Sequence, residues 1–145
     1  MFIGEYSHNL DAKGRIVIPT RFRDELENNF ILTRGLDGCL AIYSNKQWEK
    51  MLADLQKLPN TKKVTRQYLH VLTSRACECE VDKNGRIQIP SFLSQPVNIT
   101  KECAIVGAYD HVEIWDKETW EHYYAEASDS FEEVAESLSD LMGNE

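Results

Sequence analysis

The sequence predicts a β-rich α+β fold made of two tandem copies of one small unit, related by a pseudo-twofold axis. The first observation is a repeat: LDAKGRIVIP at residues 10–19 returns as VDKNGRIQIP at residues 81–90, six identities in ten positions at a spacing of 71. The second is local patterning, in which short Val-, Ile- and aromatic-rich runs alternate with turn residues, as in hairpins. The third is size. A two-hairpin unit of about 50 residues buries too little apolar surface to stand alone, whereas two copies can share one core. Sharing it would bring the two repeated turns out close together.

Each element follows from local chemistry. Residues 2–10 lead into the turn Asp11-Ala12-Lys13-Gly14. The Asp carboxylate accepts hydrogen bonds from backbone N–H groups just downstream, and Gly takes positive φ without steric cost. Arg15-Ile16-Val17-Ile18 then reads as a short strand with Ile16 and Ile18 on one face. Pro19 ends it, because proline lacks an N–H for a ladder but suits a helix start. TRFRDELENN is a short helix ending near Asn28 or Asn29, and FILTR and CLAIY are two strands joined by Gly35-Leu36-Asp37-Gly38. Ser44 followed by Gln47 is a capping box that opens a helix ending before Pro59. TKKVTRQYLHVLTSRA is a bridging helix with Val64, Tyr68, Val71 and Leu72 in one stripe.

The second unit replays the first through CECEVD, the turn at Lys83-Asn84-Gly85, and RIQIP. CAIVG and VEIW align with ILTRG and LAIY at an offset of 72, which places Gly35 on Gly107, Ile42 on Ile114, Tyr43 on Trp115 and Trp48 on Trp120. The change of offset from 71 to 72 predicts a loop indel between Phe22 and Phe30. Asp116 takes the capping place of Ser44. A last helix from Ser130 carries Phe131, Val134, Leu138 and Leu141 on one face. The units are thus 1–58 and 76–124, joined by a helix at 59–75 and followed by an acidic helix at 125–145. Trp48, Tyr68, Trp115 and Trp120 are expected in the core.

Charge divides the chain. Its net charge is −8, but residues 1–75 hold 12 Lys/Arg against 8 Asp/Glu, and residues 76–145 hold 4 against 16. A mildly basic half is joined to a strongly acidic one, and that distribution says more about partners than the total does. No apolar run approaches the length of a membrane helix, and the first residues lack a signal-peptide pattern, so a cytoplasmic protein with reduced thiols is expected.

Two copies of Asp-x-x-Gly-Arg-Ile-x-Ile-Pro, opened by MFIGEYSHNLDAKGRIVIP, resemble the MraZ family of the AbrB-like (SpoVT-AbrB, MazE-like) DNA-binding group. The resemblance implies two AbrB-like units in a pseudo-twofold swapped-hairpin, double-split β-barrel with flanking helices. It also implies a bacterial transcription regulator, nucleoid-associated, acting as a repressor. Its target would be double-stranded DNA with short direct repeats upstream of its own division and cell-wall gene cluster. Finally, it implies a ring-like homo-oligomer whose DNA-facing surface is formed by the two turns.

Lys13, Arg15, Lys83 and Arg86 are therefore the candidate DNA contacts, on turns structured by Asp11, Gly14, Asp82 and Gly85. Arg reaches phosphate or guanine edges bidentately; an Asp that locks the turn also pre-organises its Arg. The second turn carries its lysine one place earlier than the first. Arg21 and Arg23 extend the basic face or lie on a solvated helix face beside Asp24, Glu25 and Glu27; in the second unit Phe92 stands where Arg21 does. Cys77 and Cys79 share a strand face but match Tyr6 and His8 of the first unit, which points to a core or interface position over a metal site. His8, His70, His111 and His122 are scattered, and nucleotide-loop, nucleophile-elbow and metalloprotease spacings are missing. No enzyme activity, metal, cofactor or small-molecule substrate is expected. A second reading is an antitoxin-like interaction module whose acidic tail binds a basic partner, with DNA contact secondary.

Overall fold

The computed structural model describes residues 1–143. The first half runs β1 (Glu5–Asn9), β2 (Arg15–Val17), α1 (Thr20–Leu26), β3 (Asn29–Arg34), β4 (Leu40–Ser44), α2 (Asn45–Leu55) and α3 (Lys63–Ser74). The second repeats that order as β5 (Cys77–Glu80), β6 (Arg86–Gln88), α4 (Ser91–Ser94) with a 3-10 turn, β7 (Glu102–Gly107), β8 (Val112–Asp116), α5 (Lys117–Asp129) and α6 (Phe131–Gly143).

Six of the strands form one antiparallel sheet in the order β1-β7-β8-β4-β3-β5. Exchanging the halves leaves this order unchanged, so the sheet has a pseudo-dyad between β8 and β4. There Leu40 faces Ile114, and Ile42 faces Val112. Each unit's first strand is given away: β1 pairs with β7, and β5 with β3. The exit strands β2 and β6 pair with each other, Ile16 opposite Ile87. The units are interleaved, as the fold class predicts.

Burial explains the interleaving. Ile16, Ile18, Ile87 and Ile89, the Ile-x-Ile of both repeats, lie in one core with Phe22, Phe30, Leu32, Ile42, Leu93, Ile105 and Ile114. Pro19 and Pro90 stand just before α1 and α4, which turn Phe22 and Leu93 back onto that core. Ser44 caps α2 by accepting from the Gln47 N–H at 3.2 Å, and Asp116 caps α5 through the Thr119 N–H at 3.1 Å.

The structure corrects four expectations. The first helix ends at Leu26, because Glu27 adopts φ 66° and Asn29 already pairs with Glu80 in the sheet. Gly35 is not the counterpart of Gly107. Leu32 faces Ile42 and Ile105 faces Ile114, so the ladder sets Arg34 in the place of Gly107, an offset of 73. The first hairpin loop, 35–39, is one residue longer than the second, 108–111, and absorbs the difference. Tyr68 is 41% exposed rather than core, as are Val64 at 73% and Val71 at 54%; of the α3 stripe only Leu72 is buried. Trp48 and Trp120 are half-buried, while Trp115 is buried as expected, 5.3 Å from Trp120 and 4.8 Å from Tyr123 between ring centres.

On the outer sheet face His111 bridges two carboxylates, Nδ1 to Asp110 at 2.7 Å and Nε2 to Glu113 at 2.9 Å, against the Tyr43 ring. Burial alone would lower its pKa. The hydrogen bonds and charges of Glu113 and Asp110 outweigh burial and raise it above the ordinary 6.5. A raised folded-state pKa gives stability that is fully present below pH 6.5 and lost as pH rises through the folded value. Melting temperature should therefore fall between pH 6 and pH 8, and the fall should be smaller in His111→Gln. Equal pH slopes in the two proteins would remove His111 as its source.

Candidate nucleic-acid interface

The two repeated turns share one set of hydrogen bonds. In the first, Asp11 Oδ1 accepts from the backbone N–H of Lys13 and of Arg15, both at 2.9 Å, and Oδ2 accepts from Arg15 Nε at 2.8 Å. In the second, Asp82 Oδ1 accepts from the N–H of Asn84 at 2.8 Å and of Arg86 at 2.9 Å, and Oδ2 from Arg86 Nε at 3.0 Å. Gly14 and Gly85 sit at φ 77° and 76°, the left-handed region that costs other residues about 1–2 kcal/mol. The Arg15 and Arg86 backbone N–H bonds lead in holding the Asp11 and Asp82 carboxyls below the ordinary carboxylate range. Burial opposes them, and the remaining hydrogen bonds and arginine charges add to the fall. Both carboxylates are thus charged wherever they brace an arginine.

The turns are also stitched to each other. The Ile18 N–H donates to Gly85 O at 2.9 Å, and the Ile89 N–H to Gly14 O at 2.8 Å. Arg86 Nη1 lies 3.7 Å from Asp11 Oδ2. Gln88 Nε2 donates to Lys13 O at 2.6 Å. This puts both Asp-x-x-Gly-Arg turns on one rigid ridge. Each arginine is held by its Nε, a geometry that commits little of its Nη fork. A guanidinium fixed in this way loses less conformational freedom when it meets a planar acceptor pair.

The predicted residues are distributed unequally. Lys13 and Lys83 are exposed, and among the described residues neither has an ion-pair partner within 4.0 Å. Arg15 and Arg86 are partly buried, with side chains 28% and 25% exposed. Arg21 is exposed on α1. Arg23 leaves the outer face: its Nη2 donates to Thr20 Oγ1 at 2.6 Å, and its guanidinium lies against Gly85, where an added Cβ would collide with it. The first turn is covered differently, by Gln88, whose Nε2 would be 2.9 Å from a Cβ on Gly14. Nothing in the sequence marks Gln88 for this place. Its counterpart is Val17, so the repeat gives no sign of its role.

Cys77 and Cys79 both face the main core. Burial, the leading cause in each case, pushes the Cys79 thiol up to about 12 and that of Cys103 to about 11. Such thiols remain protonated at neutral pH and pack as apolar side chains. No helix among the described residues is long and apolar enough to cross a membrane.

Two interleaved units whose exit strands pair across a pseudo-dyad and present twin Asp-x-x-Gly-Arg turns define an AbrB-like swapped-hairpin protein. The family model of the MraZ protein, described as antitoxin-like, matches the chain twice, at residues 1–71 and 72–141. The chain belongs to the MraZ family. The two matches meet between residues 71 and 72, in the last turn of α3, and the second match ends within α6.

Proposed function

We propose that this protein is a sequence-specific, double-stranded-DNA-binding transcription regulator that reads DNA with its paired turns. The observation that carries this reading is the twin set of Asp-braced arginines on one ridge, joined by the Arg86–Asp11 pair. Lys13, Arg15, Lys83 and Arg86 are its contacts, with Arg21 at the flank and Arg23 supporting the second turn. It acts as a repressor from the cytoplasm, on the nucleoid, at short direct repeats upstream of its own division and cell-wall gene cluster. Several copies act together in a ring-like assembly, and the acidic half turns away from the phosphates, which disfavours wrong orientations. A gel shift with the DNA immediately upstream of its own gene tests the reading directly.

Arg15→Ala should keep the fold and weaken specific binding by about 1–3 kcal/mol for each bound turn. Arg86→Ala should also weaken it, by less, because Asp11 and Asp82 both draw on that guanidinium. Unchanged affinity in a folded Arg15→Ala protein would rule that residue out as a DNA contact.

The antitoxin-like reading draws support from α6, which carries Glu132, Glu133, Glu136 and Asp140 and buries no residue. A basic partner would bind there. If such a partner stays bound after deletion of residues 125–145, that reading fails.

A further inference from the structure

Two helices of this chain carry unspent apolar stripes of matching spacing and opposite charge. On α3, Val64, Tyr68 and Val71 are 73%, 41% and 54% exposed. On α6, Phe131, Val134, Leu138 and Leu141 are 70%, 48%, 52% and 78% exposed. Both stripes advance by alternating steps of three and four, the spacing at which helices pack along a shared seam. Helix α3 contains no carboxylate and is led by Lys62, Lys63 and Arg66; α6 contains no Lys or Arg and is led by Glu132, Glu133 and Glu136.

We infer that α6 of one copy docks on α3 of the next. This rests on the several-copy assembly proposed above and specifies its interface. The position of each helix in its repeat supports it. Helix α3 is anchored on its own sheet, with Leu72 buried and Leu72 O accepting from Thr33 Oγ1 at 2.6 Å. Helix α6, its counterpart, has no buried residue, so the chain leaves its stripe uncovered. The charges set the direction. Cations crowd the N-terminal half of α3 and carboxylates that of α6, so the two helices run parallel. Phe131 then meets the apolar groove between α2 and α3, about 180 Å³ in volume and lined by Leu55, Leu58, Val64, Thr65, Tyr68 and Leu69. The two faces differ, so the contact is heterologous and propagates from copy to copy, closing into a ring where the rotation allows.

Complementation tests this, with mass measured by light scattering and fold checked by circular dichroism. Val71→Asp and Leu138→Asp change exposed side chains outside the turns. Each alone should reduce the assembly to single chains of 16.7 kDa. Mixed, they should form a 1:1 dimer and stop there, because one intact α6 meets one intact α3. Charge reversal should behave alike: Lys63→Glu or Glu133→Lys alone loosens the assembly, and both together restore it. Assembly lost in Leu138→Asp but kept in Val71→Asp would show α6 pairing with α6 and overturn the inference. So would a wild-type chain that is monomeric with α6 folded on its own α3, or a mixture that stays monomeric. DNA binding is read separately. Tight binding to repeated DNA by a protein that assembles through other surfaces would sink this interface alone. An intact α3–α6 assembly that ignores its upstream DNA would sink the DNA reading alone.

Discussion

Gly107→Val should destabilise the protein by about 3–5 kcal/mol, read as a lowered urea midpoint. The last residue of β7 lies directly under the N-terminal segment. A Cβ there would sit 2.6 Å from Phe2 C and Ile3 N and 2.7 Å from Phe2 O. These are backbone atoms, so no rotamer change relieves the contact. The segment is clipped in place: Gly107 N–H donates to Gly4 O at 2.8 Å, Phe2 N–H to Tyr109 O at 2.8 Å, and Tyr109 N–H to Phe2 O at 3.0 Å. A valine would lift this clip and draw Phe2, only 6% exposed, off the Phe22 ring 5.9 Å away. Removing a Phe from a core costs about 3–5 kcal/mol. Gly35→Val should cost less, since the nearest atom to a Cβ there is Cys39 Sγ at 2.8 Å, which can rotate away. The effect has a specific origin, so it should not add. Deleting residues 1–4 should cost a similar amount, and Gly107→Val in the shortened chain should then add little. A full second loss would show that the N-terminal segment is not what the valine displaces.

The contrast between these two glycines shows what the sequence makes legible. An alignment at constant offset equates them, yet the ladder equates Gly107 with Arg34, because one extra loop residue shifts the hairpin. Hairpin register depends on loop length as much as on pattern, and alternating apolar residues read equally well one step away. The turns were legible for the opposite reason. Asp, Gly and Arg within five positions specify the hydrogen bonds that each turn makes within itself, and the repeat says it happens twice. Arg23 was not legible, since its resting place on Gly85 is 62 positions distant and depends on how the units interleave. Tyr68 reads as core from its spacing yet is exposed, because periodicity shows that a helix has an apolar face without showing what covers it.

Duplexes with two or more correctly spaced repeats should bind roughly 10²–10⁴ times more tightly than a duplex with one. A single protomer offers four turn cations, Lys13, Arg15, Lys83 and Arg86, and two of them are already braced by Asp11 and Asp82. The net charge of −8 on the whole protomer also opposes its approach to the phosphates. Affinity falls with salt at about −0.9 per phosphate neutralised, so one protomer contributes a slope no steeper than about −4. That leaves one ridge with weak binding at physiological salt. Copies joined through a common interface make the second and later contacts intramolecular, with no new chemistry at the turns. The salt slope on repeated DNA should accordingly be steeper than −4, and Val71→Asp, with every turn cation intact, should flatten it to the single-repeat value. Titration of one-, two- and three-repeat duplexes across salt decides the matter. Equal affinity for one repeat and several, or a monomer at binding concentrations, would mean that a single ridge suffices and that these four cations are not the whole of the contact.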